Sequence, residues 1–158
     1  MSDEIRHGET LEIADIQKVM EVLPHRYPFL MIDKVINMKD GTSGTGIKNV
    51  TINEQFFQGH FVGKPVMPGV LMIEAMAQTA ITIVACADGI DTQDKMAFFM
   101  SIDNARFRRQ VVPGDQLEIN VKLVKKRGNV WKFNGQAFVE DALACEANFA
   151  AMAIDALE

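Results

Sequence analysis

The chain has 158 residues, with 16 Lys and Arg against 21 Asp and Glu, a formal net charge of −5. Its 48% hydrophobic and 23% charged content is that of a folded globular domain and excludes wholesale disorder. The acidic balance argues against general binding to nucleic acid or insertion at an anionic membrane, because the summed field repels phosphate. Two cysteines, Cys86 and Cys145, lie far apart with no CxxC, which reads as free thiols in a reducing cytosol rather than a metal or dithiol site. The opening MSDEIRHGET carries acids and no apolar core, unlike a signal peptide. Residues 1–11 read as a frayed tail and 12–158 as one domain.

In chain order, Asp15 is an N-cap candidate ahead of Ile16, Val19, Met20 and Leu23, whose spacing predicts a short surface helix that stops before Pro24. Phe29 to Met38 is β-rich, Asp40-Gly41 is a hairpin turn, and Thr45 to Thr51 is the returning strand. Residues 53–69, NEQFFQGHFVGKPVMPG, are irregular, and their aromatic content marks an ordered, functional loop. Pro68-Gly69 opens an apolar helix, with Gly89 as its stop. Its run from Val70 to Ala87 is barely long enough to span a bilayer and holds Glu74 and Gln78, so it reads as a core helix. Four strands follow: Met96 to Phe107, a second through Leu117, Ile119, Val121 and Leu123, a third through Trp131, Phe133, Ala137 and Val139, and Ala144 to Ile154. The alanines of the last favour helix, but Cys145, Ala147, Phe149, Ala151 and Ala153 form one strand face. The sum is an α+β domain in which a curved antiparallel sheet wraps one long buried helix.

Three groups stand out chemically. Glu74 interrupts an apolar helix, where burying a carboxylate is costly unless it is paired or protonated. Gln78 and Thr82 continue it as a polar stripe, which could equally hydrogen-bond a neighbouring loop or a second copy. His60 sits between Gly59 and Phe61; a lone histidine is often a satisfied core residue. Gly69 offers an N–H at a helix N-terminus, where a developing oxyanion is favoured. Imidazole, buried acid and helix-end amide together suit proton abstraction beside a carbonyl. His25, held between Pro24 and Pro28, reads as structural. Arg106, Arg108 and Arg109 form a basic cluster that is either a solvated face or a docking site for an acidic partner.

Three segments, LPHRYPFLMID (23–33), GHFVGKPVMPGVLMIEAMAQ (59–78) and IDNARFRRQVVPGD (102–115), resemble the (3R)-3-hydroxyacyl-[acyl-carrier-protein] dehydratases of bacterial type II fatty-acid synthesis. The resemblance implies the hotdog fold and a hydro-lyase that forms trans-2-enoyl chains in fatty-acid elongation and balances 3-hydroxyacyl supply for lipid A. It implies His60 and Glu74 as the catalytic pair, from different subunits of a dimer, with Gly69 as oxyanion donor. Phe61, Val70, Gln78 and the gating aromatic Phe98 become substrate-binding candidates. Arg108 and Arg109 become docking candidates for acyl carrier protein bearing a 3-hydroxyacyl-phosphopantetheine thioester. It further implies a cytoplasmic homodimer or trimer of dimers with no metal or organic cofactor. Relatives usually carry proline where this chain has Val62, so a looser loop around His60 is expected. The residues alone leave open a thioesterase and a non-catalytic acyl-thioester binder.

Overall fold

The computed structural model describes residues 12–88, 92 and 94–155. Asp15 caps α1 (Ile16–Val22) by accepting the Lys18 N–H at 2.9 Å, and the helix ends at Leu23 as Pro24 requires. The first hairpin follows, β1 (Lys34–Lys39) and β2 (Ser43–Asn49), turned by Asp40 and Gly41 with φ of 48° and 69°. A single 3-10 turn at Gln55–Gln58 opens the loop, and α2 runs Gly69–Asp88. The chain then makes β3 (Lys95–Phe107), β4 (Gln116–Arg127), β5 (Val130–Val139) and β6 (Ala142–Asp155). All pairings are antiparallel, in the order β1-β2-β4-β5-β6-β3. The alanine-rich segment is thus a strand, because β5 on one side and β3 on the other supply its backbone partners. The expected tail at 1–11 and the Gly89 stop lie outside the described residues.

One expected strand is shorter than read. Phe29 to Asp33 stays out of the sheet, and β1 begins only at Lys34. The reason lies in its backbone partners. The Met31 N–H goes to Gln78 Oε1 at 2.8 Å, and the Phe29 carbonyl accepts from Gln78 Nε2 at 2.8 Å. A side chain of α2 has taken the place of a ladder, and the segment becomes a strap lying on the helix.

The sheet wraps α2, whose face from Met72 to Ala85 is buried. By length and hydropathy this helix could cross a membrane, but 67% of its most apolar window is covered by the protein itself. Close approach of helix to sheet depends on small residues in the strands. A Cβ at Gly46 of β2 would stand 2.1 Å from Thr79 Oγ1, too close for any packing. β3 is left as an edge: among the described residues it pairs only with β6, and it exposes Met96, Phe98, Phe99, Met100 and Ile102. A long, apolar, unpaired edge invites pairing with another chain.

The helix–sheet contact predicts that Gly46→Ala destabilises by about 1–3 kcal/mol through overpacking. Thr79→Ala in the same chain should recover part of that loss. Chemical denaturation of the four-member cycle reads the coupling, and strictly additive costs would contradict the contact.

Candidate functional site

The loop that carries His60 is fastened at each end. Val50 exchanges hydrogen bonds with the 113–115 turn, its N–H to the Asp115 carbonyl and its carbonyl from Gly114, both at 2.9 Å. The Met67 N–H meets the Val111 carbonyl at 2.8 Å. From β2, the buried Lys48 ammonium pairs with Glu54 of the loop, whose other oxygen accepts the Thr51 N–H at 3.2 Å. Glu54 stands at the head of the 3-10 turn, and that turn delivers the Phe56 carbonyl to the His60 N–H at 3.1 Å. Lys48 therefore reaches His60 through one ion pair and one turn of backbone.

The imidazole is fixed as well as the backbone. His60 Nδ1 lies 2.6 Å from the Val66 carbonyl, and the ring stacks on Phe61 with centroids 3.9 Å apart. A carbonyl oxygen can only accept, so Nδ1 carries the hydrogen and Nε2 holds a bare lone pair. That is the tautomer of a general base.

His60 lines an open cavity of about 490 Å³, together with Gly69, Val70, Phe107, Arg108 and Arg109. The Phe107 ring packs so closely on Gly69 that a Cβ there would come within 2.5 Å of it. The Gly69 N–H has no acceptor among the described residues, as befits the first residue of a helix. Arg108 is tied to Glu146 at 2.9 Å, while Arg109 has no ion-pair partner among the described residues. Phe61 and Val70 are more than half exposed on this side.

Glu74 belongs to a second neighbourhood. Burial, partly offset by the Gln78 hydrogen bond, pushes its carboxyl above the ordinary carboxylate range. Gln78 Nε2 donates to Glu74 Oε1 at 3.0 Å, and His25 Nε2 stands 3.5 Å from the same oxygen. His25 also lines an apolar cleft with Pro24, Ile81, Met96 and Trp131. No hydrogen bond or ion pair joins His60 to Glu74 among the described residues. One chain thus displays two separate groups: His60 with Gly69, Arg108 and Arg109 around one cavity, and Glu74 with Gln78 and His25.

Set against the sequence reading, the structure groups His60, Gly69, Val70, Arg108 and Arg109, with Phe61 stacked on the imidazole. It places Glu74 and Gln78 elsewhere and Phe98 on the β3 edge, lining neither space. Gln78 is fully buried with both amide ends engaged, so it reaches a ligand only through Glu74. His25, read as structural, stands beside Glu74, a contact the sequence did not reveal. Its contact with Glu74 spans 49 positions, and only the two prolines that stiffen its segment hinted at a fixed placement. Among the described residues no three His, Cys, Asp or Glu side chains cluster as a metal site would need.

Comparison with known proteins adds a family. The FabA-like domain matches residues 23–148. The 3-hydroxyacyl-[acyl-carrier-protein] dehydratase FabZ of Rhodospirillum rubrum is 52% identical over 98% of this chain and 97% of its own. The FabZ of Agrobacterium fabrum is 56% identical over 98% and 97%. Among solved structures, the dehydratase heterocomplex ApeI:P from Xenorhabdus doucetiae superposes with a TM-score of 0.75 at 19% identity, covering 89% of this chain and 93% of that one. A mutant thioesterase from Pseudomonas aeruginosa reaches 0.63 at 12% identity, covering 90% and 95%. Those two establish the hotdog architecture and nothing finer.

The loop also explains its departure at Val62. Phe61 and Lys64 exchange backbone hydrogen bonds at 2.9 and 3.0 Å around Val62 and Gly63, and Gly63 has φ of 75°. A positive φ at the third position alone is a type II turn, whose second position suits proline. The Val62 N–H makes no backbone hydrogen bond among the described residues, so proline forfeits nothing. Val62→Pro is expected to stabilise by about 0.4–1 kcal/mol. Differential scanning calorimetry should show Tm rising by about 1–4 °C for a chain of this size. A fall in Tm would exclude the turn assignment.

Proposed function

The chain belongs to the FabA-like domain family, and from that premise we propose how it removes water from a 3-hydroxyacyl thioester: His60 of one subunit and Glu74 of another act on the same substrate. Like the dehydratases it resembles at 52% and 56% identity over nearly its whole length, the chain is a hydro-lyase of fatty-acid elongation.

The observation that carries the mechanism is the 2.6 Å contact between His60 Nδ1 and the Val66 carbonyl. It leaves Nε2 as a lone pair on a ring that lines the same cavity as Gly69, whose N–H has no acceptor among the described residues. His60 Nε2 takes the proton from Cα. Charge moves onto the thioester oxygen, where the Gly69 N–H and the positive end of α2 receive it. Glu74, whose pKa burial raises, gives its proton to the β-hydroxyl, which leaves as water. The electron pair left at Cα becomes the new double bond. His60 then holds one proton more and Glu74 one fewer, and the pair resets by exchange with solvent.

The second subunit is part of the reading because one chain keeps its base and its acid apart. The apolar edge of β3 supports pairing of two copies there, antiparallel, which would join the two sheets and bury Phe98, Met100 and Ile102. The acyl chain would then lie in the apolar cleft beside His25 and Glu74, gaining about 0.8 kcal/mol per buried CH₂. The Arg109 guanidinium at the other cavity suits the phosphate of a pantetheine arm or the acidic surface of its carrier protein.

His60→Ala and Glu74→Gln should each lower turnover of a 3-hydroxyacyl thioester about 10²–10⁴-fold. Mixing the two inactive variants under exchange should restore activity, since each heterodimer regains one intact site, or about a quarter of the wild-type rate at equal mixing. Continued inactivity of the refolded mixture would exclude a site shared between subunits. Because Glu74 acts while protonated, kcat should fall as pH rises through its elevated pKa. Glu74→Gln should lose that alkaline limb.

A further inference from the structure

The two carboxyl oxygens of Glu74 are not equivalent. Oε1 accepts from Gln78 Nε2 at 3.0 Å and lies 3.5 Å from His25 Nε2. Oε2 has no hydrogen-bond partner among the described residues. An oxygen that already accepts an amide N–H is a poor seat for an acid proton, which would set one donor against another. The proton of the neutral acid belongs on Oε2.

His25 is built to stay beside Oε1. It rides on the strap between α1 and β1. The Arg26 guanidinium clamps the start of that strap, donating to the carbonyls of Met20, Leu23 and His25 at 2.9, 2.8 and 2.7 Å. Gln78 clamps the far end at Phe29 and Met31. The imidazole stacks on Phe29 with centroids 6.3 Å apart. Its Nδ1 is buried and has no hydrogen-bond partner. A hydrogen on Nδ1 would be an orphaned buried donor, whereas a bare Nδ1 is merely an unused acceptor, the more tolerable state. The hydrogen therefore sits on Nε2, facing Glu74.

We propose that His25, in its neutral Nε2–H form, is a positioning residue for the acid: with Gln78 it holds Glu74 Oε1 and leaves Oε2 to deliver the proton to the departing hydroxyl. The chemical part rests on the dehydratase reading, while the His25–Glu74 contact stands apart from it. At 3.5 Å the contact is longer than a hydrogen bond. It closes to one as the carboxylate forms, since catalytic hydrogen bonds tighten when the site is occupied. The charge left after proton delivery then faces two N–H donors. The groups facing Glu74 are His25 from the strap, beside which Arg26 sits, Gln78 from its own helix and, across the proposed interface, His60 of the partner subunit.

The test uses the full-length protein as wild type, His25→Phe and His25→Gln. Phenylalanine keeps the ring stack on Phe29 and removes the donor; glutamine supplies a donor again. Carbon-13 NMR of the labelled Glu74 carboxyl reads its titration without substrate. Loss of the donor destabilises the carboxylate, so the Glu74 pKa should rise in His25→Phe and return towards wild type in His25→Gln. With a 3-hydroxyacyl thioester, His25→Phe should lose about tenfold in kcat with KM little changed, and its alkaline limb should move to higher pH. A merely structural histidine would not move that limb. An unchanged carboxyl titration in folded His25→Phe overturns the proposal, as does a His25→Gln variant that titrates like His25→Phe. Absence of turnover in the wild type would defeat the dehydratase reading instead, and the carboxyl titration would still decide the contact.

Discussion

One buried amide organises half of this molecule. Gln78 sits wholly inside the protein, on a helix whose neighbours are nearly all apolar. Each of its polar atoms must find a partner there, because an unmet donor or acceptor in the interior costs about 1–3 kcal/mol. The chain meets that demand with backbone from a different element. Oε1 takes the Met31 N–H, and Nε2 reaches the Phe29 carbonyl and Glu74 together. The strap is thereby locked on the helix, and the strap brings His25. A requirement of the core thus becomes the placement of an acid and its neighbour. The reading of the polar stripe as a binder of a neighbouring loop holds for Gln78.

A histidine does different work according to which nitrogen is engaged. His60 spends Nδ1 on a carbonyl and offers a lone pair at Nε2. His25 has no partner for a buried Nδ1 among the described residues, so its hydrogen falls to Nε2, and burial followed by the Arg26 charge lowers its pKa below the ordinary imidazole value. The first ring offers a lone pair at Nε2, the second an N–H. Neither property resides in the residue type. Each is imposed by the surroundings of Nδ1, the Val66 carbonyl in one case and burial without a hydrogen-bond partner among the described residues in the other.

Much of the fold was legible because its signals are local. Asp15 before an apolar period, Asp40-Gly41 between two β-rich runs and Pro68-Gly69 at a helix start each act within a few residues, and the elements follow them. The misjudged stretch, Phe29 to Asp33, has the composition of a strand; what keeps it out of the sheet is a side chain 47 positions from Met31. His60, Glu74 and Gly69 could be singled out because each is chemically odd where it stands. His25 is not odd in its own segment, and its meaning arises only from the fold. The same holds for the cations: Arg108 and Arg109 look alike in sequence, and only the strand pairing that sets Glu146 beside Arg108 separates them.

The charge of the whole chain and the charge at its cavity point in opposite directions. A molecule of net charge −5 repels an acidic carrier at long range, yet screening confines that repulsion to about 8 Å at physiological salt. Within that distance the approaching surface meets whichever charges rim the cavity. Arg108 is already half-neutralised by Glu146 and held in one orientation, which suits it to direct a partner more than to attract one. Arg109 brings its full charge to the rim beside His60 and Gly69. The cavity lined by His60 and Gly69 therefore carries local positive charge on a chain that is negative overall.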